Sequence, residues 1–134
     1  MTALILEDPG SVRVMRDPTR GGLSATLNEI AGRSKVGIVI EDRLLPIRPD
    51  VQSACEMLGL DPLLVANEGK LVAIVDAGAA EAMLARMRSH PAGRDACLIG
   101  RVTKENSGRL IAKTALGTSR LIPLPIGEQL PRIC

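Results

Sequence analysis

Apolar residues fall in short runs whose spacing switches between alternation and a period near 3.6, so strands and helices are expected to interleave along the chain. Residues 3 to 8 and 11 to 16 are apolar stretches parted by Pro9 and Gly10, and Val12 and Val14 alternate with Arg13 and Met15 as in a strand. Leu23, Leu27, Ile30 and Ala31 then follow at helical spacing. Asp17 is a good N-cap for that helix and Pro18 fits its first position, where a missing N–H costs nothing, so a helix is predicted over 18–32. VGIVIE at 36–41 reads as a strand, and 44–49 is a proline-bounded connection. Val51, Ala54, Cys55 and Leu58 fall at i, i+3, i+4 and i+7, which predicts a helix with Cys55 on its packed face, stopped by Gly59.

The second half repeats the pattern. Asn67, Glu68, Gly69 and Lys70 form a turn ahead of a strand at 71–75, and Asn and Gly tolerate the positive φ such a turn needs. Composition alone makes Glu68 and Lys70 a solvated pair. Ala80, Met83, Leu84 and Met87 mark a helix over 78–89, with His90 in its last turn, where an imidazolium suits the helix dipole. Strands at 96–103, 109–115 and 119–124, joined by turns at Asn106-Ser107-Gly108 and Gly117-Thr118, read as an antiparallel meander with Cys97 buried in the first. The expected fold class is α+β: a layered domain with a mixed, largely antiparallel sheet packed by helices. One domain over 1–125 is expected, followed by a flexible tail at 126–134. A Rossmann unit is not, because no G-x-G-x-x-G follows a strand.

Composition narrows the functions. The 134 residues include no Phe, Tyr or Trp, so the core is aliphatic and no ring can stack on a base. With 17 basic against 15 acidic side chains and no polybasic run, nucleic-acid binding is not expected. The apolar runs are too short for a bilayer span and the N-terminus lacks a signal pattern, so the expectation is a cytoplasmic protein with no membrane partner. Cys55, Cys97 and Cys134 are widely spaced and odd in number, which suits reduced thiols rather than a disulfide framework or a zinc site.

Two stretches carry candidate chemistry. Thr19, Arg20, Gly21 and Gly22 place a hydroxyl, a guanidinium and two glycines where free N–H groups gather, which suits an anion; equally, the glycines can serve close helix packing. Asp17 would repel a phosphate unless capping occupies its carboxylate. The other stretch is the C-terminus, where Cys134 is either a frayed end or a reactive thiol on an arm.

Three segments in this order, Met15-Arg16-Asp17-Pro18-Thr19-Arg20-Gly21-Gly22-Leu23, Ala66-Asn67-Glu68-Gly69-Lys70-Leu71 and Gly127-Glu128-Gln129-Leu130-Pro131-Arg132-Ile133-Cys134, resemble the HypE family of hydrogenase maturation proteins. The likeness extends through Pro46-Ile47-Arg48-Pro49 and Leu58-Gly59-Leu60-Asp61-Pro62. That family lies within the wider AIR synthase-related group, whose members place a nucleotide domain before a C-terminal α/β domain, and this chain is similar to the C-terminal domain alone.

The resemblance implies that Cys134 accepts a carbamoyl group from HypF and that ATP-driven dehydration converts it to a thiocyanate. The cyano group would pass to iron on HypC–HypD for the Fe–CN centre of [NiFe]-hydrogenase. It implies Glu68 as the group that removes a proton from the carbamoyl nitrogen. Asp17, Thr19, Arg20, Gly21 and Gly22 would shape the phosphate end, with Asn67 and Lys70 in support. ATP and Mg²⁺ belong to the full-length family; neither is expected to bind tightly to this chain alone. The isolated chain is therefore expected to be inactive, and a homodimer is possible. The competing readings are a non-catalytic interaction module, a truncated paralogue, or another AIR synthase-like enzyme, which would have no use for the C-terminal Pro-Arg-Ile-Cys.

Overall fold

The computed structural model describes residues 2–5 and 8–124. The sequence expectations for the tail and Cys134 lie outside the described residues. In chain order the elements are α1 (Thr2–Ile5), β1 (Val12–Arg16), α2 (Gly22–Ser34), β2 (Gly37–Glu41), α3 (Pro49–Leu58), β3 (Val72–Val75), α4 (Ala80–Arg88), β4 (Gly100–Thr103), β5 (Leu110–Lys113) and β6 (Ser119–Ile122). The chain forms two compact units, Met1–Arg16 with Leu71–Leu98, and Asp17–Lys70 with Ile99–Cys134.

In the first unit β1 runs antiparallel to β3, from Val12 opposite Val75 to Arg16 opposite Val72, with an irregularity between Val12 and Val14. Arg13 sits at that irregularity and forks onto Asp76, Nε to Oδ1 at 2.8 Å and Nη2 to Oδ2 at 2.7 Å. α4 buries Met83 and packs against α1, which buries Ile5. Two expectations change here. His90 lies beyond α4 rather than in its last turn and opens the short 3-10 turn Pro91–Gly93, where its Nδ1 accepts the Ala92 N–H at 3.1 Å. Cys97 is half-buried and outside any strand. The Ala96 carbonyl is taken by Arg88 Nε at 2.8 Å, and pairing with β2 starts only at Ile99, whose carbonyl accepts the Glu41 N–H.

The second unit holds a four-stranded mixed sheet in the order β4-β2-β5-β6. β2 lies antiparallel to β4 (Gly37 opposite Thr103, Ile40 opposite Gly100) and parallel to β5 (Ile38 opposite Leu110, Glu41 opposite Lys113). The expected meander is thus corrected: β2 separates β4 from β5, and only β5–β6 is a hairpin, with Ala112 opposite Arg120. The cause is the uninterrupted apolar run of β2, whose residues 37–40 are all buried; a strand of that kind needs neighbours on both sides. α2 covers this sheet. Its Leu27, Ile30 and Ala31 join Ile38, Ile40, Leu110, Ala112 and Ile122 in an aliphatic core. The α+β class with a mixed, largely antiparallel sheet holds.

α3 forms where expected and stops at Gly59 with φ 66°, but its predicted packed face is largely open. Cys55 is buried, whereas Val51 is 38% and Leu58 71% exposed, because the helix meets its unit at the Pro62–Leu64 turn.

Candidate functional site

The predicted start of α2 is wrong by one turn, and the reason defines the site. Had the helix begun at Pro18, that residue's carbonyl would accept the Gly22 N–H. Instead it accepts the Asn67 N–H at 3.1 Å, and Gly21 and Gly22 take positive φ, 67° and 63°. The helix therefore opens at Gly22 with Gly21 as N-cap and no side-chain cap. Asp17 is exposed and does not cap, so the residues 17–21 form a loop ahead of the helix rather than its first turn.

Gly22 is fixed by close approach. A Cβ on it would meet the Leu63 carbonyl oxygen at 2.5 Å and the Val65 carbonyl oxygen at 2.6 Å. Only a residue without a side chain, free to hold a left-handed φ, lets the loop and the 63–65 backbone come this near. Close packing, one of the two readings left open by the sequence, is thus the role of Gly22.

This contact and the Pro18–Asn67 hydrogen bond bring together two segments far apart in sequence, the 17–22 loop and the 66–70 turn. Pro18 is buried and Thr19 and Asn67 are half-buried, while Arg20, Glu68, Gly69 and Lys70 are exposed. Gly69 holds φ 76°, as the Asn-Glu-Gly turn requires. Glu68 and Lys70 form no ion pair among the described residues. The loop offers a hydroxyl and a guanidinium suited to phosphate oxygens, and the turn offers a carboxylate able to take up a proton.

Three residues that sequence reasoning passed over support the turn. Asp61 Oδ1 accepts the Leu63 N–H at 2.9 Å, capping the 3-10 turn Pro62–Leu64. Its Oδ2 accepts Arg120 Nη1 at 3.0 Å, and Arg120 Nε lies 3.6 Å from Asp42 Oδ2. Burial pulls the Arg120 guanidinium down, but the hydrogen bond and charge of Asp61, with the charge of Asp42, outweigh it, and its pKa stands above the ordinary value. The Asp61-Pro62 pair was a readable capping signal; nothing in the sequence marks Arg120 or Asp42. A cavity of about 200 Å³ beside this cluster has Asp42, Gln52, Asp61 and Arg120 as its polar lining, and among the described residues none of those predicted from the sequence for the site faces it.

No group of three His, Cys, Asp or Glu side chains that could hold a metal ion occurs among the described residues. No helix among them is long and apolar enough to cross a membrane.

Residues 1–113 match the family model described as "AIR synthase related protein, C-terminal domain". The chain belongs to this family. Within it, the carbamoyl dehydratase HypE of Cupriavidus necator is 56% identical over 126 residues, covering 94% of this chain and 36% of that protein. A solved HypE–HypF complex superposes with a TM-score of 0.86 at 43% identity, covering 91% of this chain and 39% of that one. A solved HypE in complex with ATP gives 0.85 at 44% identity, over 97% and 41%. The chain thus spans about two-fifths of the length of these AIR synthase-related proteins.

Proposed function

We propose that this chain is the cyano-carrier portion of a HypE-type carbamoyl dehydratase, with residues 126–134 as the arm and Cys134 as the thiol that carries the substrate. The observation behind the reading is the pairing of the 17–22 loop with the 66–70 turn through the Pro18–Asn67 hydrogen bond. It brings the loop that carries Thr19 and Arg20 next to the turn that carries Glu68, which supports a reading in which the two serve the two ends of a dehydration. ATP, when bound, supplies the phosphoryl group that makes the carbamoyl oxygen a leaving group.

In this scheme Cys134 Sγ holds the carbamoyl carbon, and tethering raises its local concentration at the site. Thr19 and Arg20 orient the phosphate oxygens and the Gly21 backbone lets them approach, while Gly22 seats the loop against the 63–65 backbone and Asp17 stands at the rim. Phosphorylation of the carbamoyl oxygen releases one proton of the nitrogen to solvent, and Glu68 accepts the second as phosphate departs with that oxygen, leaving the C≡N bond on sulfur. Asn67 and Lys70 hold the turn and balance its charge. Glu68 is exposed among the described residues, so the burial that would raise its basicity has to come from outside them. For the same reason the chain alone is inactive, working in the cytoplasm only with the remainder of a HypE-type protein, with a HypF-like donor and a HypC–HypD-like acceptor.

The test uses a hybrid in which this chain replaces the matching segment of the Cupriavidus necator protein, incubated with HypF, carbamoyl phosphate and ATP. Mass spectrometry is expected to find a carbamoyl group on Cys134 that then loses water. Glu68→Gln is expected to accumulate the carbamoyl form; full conversion to thiocyanate in that variant would sink its role as base. An unaltered ATP dependence after Arg20→Ala would remove Arg20 from the phosphate end. Absence of any adduct on Cys134 would favour a binding module that is not itself modified.

A further inference from the structure

We propose that Asp61 and Arg120 are positioning residues: together they hold the 66–70 turn in register against the 17–22 loop and so aim Glu68. The inference rests on the reading of Glu68 given above. Asp61 ties three partners at once. Oδ1 accepts the Leu63 N–H, Oδ2 accepts Arg120 Nη1, and its backbone carbonyl accepts the Leu64 N–H at 2.9 Å. The turn so fixed presents the Leu63 and Val65 carbonyls to Gly22 and the Asn67 N–H to Pro18. Glu68 is the next residue after the last of these ties, so its direction is set by the segment that Asp61 anchors.

Arg120 gives that anchor its sideways reference. It sits on β6 opposite Ala112 of β5, and its guanidinium reaches Asp61 on one side and Asp42 on the other. Folding does not depend on the pair. β6 is held to β5 by its ladder, and Leu63 is already buried at 4% exposure, so strand and turn keep their places through the core. All three charged side chains are part-exposed, between 28% and 43%, where an ion pair adds little to global stability and chiefly selects one geometry.

Amide hydrogen exchange on this chain tests the inference without any chemistry at Glu68. Arg120→Ala is expected to speed exchange at the Asn67 N–H by about tenfold or more and to leave Ile38 to Ile40 unchanged. Arg120→Lys, which keeps the charge, is expected to recover part of that protection. Unchanged exchange at Asn67 would overturn the proposal, as would a uniform rise that includes β2, which would make the pair only structural. In the hybrid enzyme, Arg120→Ala is expected to lower kcat for water loss with KM for ATP unchanged. Glu68→Gln inactive with Arg120→Ala fully active would overturn the positioning role alone. Both variants fully active with Asn67 still deprotected would overturn the aiming of Glu68 together with the reading of Glu68 as base.

Discussion

Replacing Gly22 by Ala probes the contact on which the paired loops depend. Two costs add. Holding Ala at φ 63° places it in the left-handed region, at about 1–2 kcal/mol for a residue with a Cβ. The new methyl would then stand 2.5 Å and 2.6 Å from two carbonyl oxygens, where ordinary contact begins at 3.4 Å. The obstacle is backbone, not a mobile side chain, so the 63–65 segment has to withdraw by most of an ångström, at a cost typical of overpacking, about 1–3 kcal/mol. The expected loss is about 2–5 kcal/mol against a domain stability of roughly 5–15 kcal/mol.

Gly59 supplies the control. Its φ of 66° matches that of Gly22, yet nothing lies within 4 Å of a Cβ built there, so Gly59→Ala should show the backbone cost alone, about 1–2 kcal/mol. Urea unfolding followed by far-UV circular dichroism measures both; the chain has no Trp or Tyr to report by fluorescence. The difference between the variants reads the close approach directly. Equal losses at the two glycines, with unchanged m-values, would refute the argument that Gly22 is needed for contact with the 63–65 backbone.

Other outcomes follow from single residues. Glu68→Gln should leave the urea midpoint within about 0.5 kcal/mol of the parent, since the side chain is exposed and makes no ion pair among the described residues; a larger loss would mean it is structural. Asp50 is held at about 2, below the ordinary carboxyl value of 3.8, chiefly by the hydrogen bond from Arg48. A carboxylate depressed in the folded state contributes stability that is fully present above its unfolded value and lost as pH falls through about 2. The stability gap between the parent and Asp50→Asn should therefore close on acidification through that window, and shrink in high salt because the pair is exposed; a gap independent of pH would contradict this. Cys55, at 5% exposure, should alkylate only as α3 opens, and Cys55→Ala should cost roughly 1–2 kcal/mol by urea unfolding; rapid native-state labelling would show that α3 is not seated.

Local order was legible where one segment decides it. The alternation in 12–16 and the helical spacing of Leu23 to Ala31 gave the right element types, although only the helix buries a face, with Leu27, Ile30 and Ala31, while no residue of the strand is fully buried. What could not be read is whatever a distant partner decides. β2 enters between β4 and β5 because its buried run needs two neighbours, a demand visible in the sequence without any hint of which strands meet it. The α3 periodicity predicted burial for Val51 and Leu58, but the turn the helix rests on is short and covers only Cys55. The site divides the same way. The glycine loop and the Asn-Glu-Gly turn stood out by composition and by resemblance, whereas their adjacency is carried by one backbone hydrogen bond and one glycine contact.

Two of the chain's three Asp-Pro steps show why capping chemistry alone misplaces an anion site. Asp17-Pro18 and Asp61-Pro62 carry the same local signal, and only the second is used: Asp61 caps its turn, while Asp17 is displaced because the Pro18 carbonyl is claimed by Asn67. An uncapped, exposed Asp17 then stands close in sequence to Arg20, so the loop carries one negative and one positive side chain rather than a net attraction. The Leu63 and Val65 carbonyls crowd Gly22, and their partial negative charge makes that flank of the helix start unfavourable for phosphate. A phosphate group at this loop is thereby confined to the flank of Thr19 and Arg20, and its affinity depends on the Arg20 guanidinium more than on the helix dipole. That dependence gives the loop a direction, since a phosphate can be accepted from one side only.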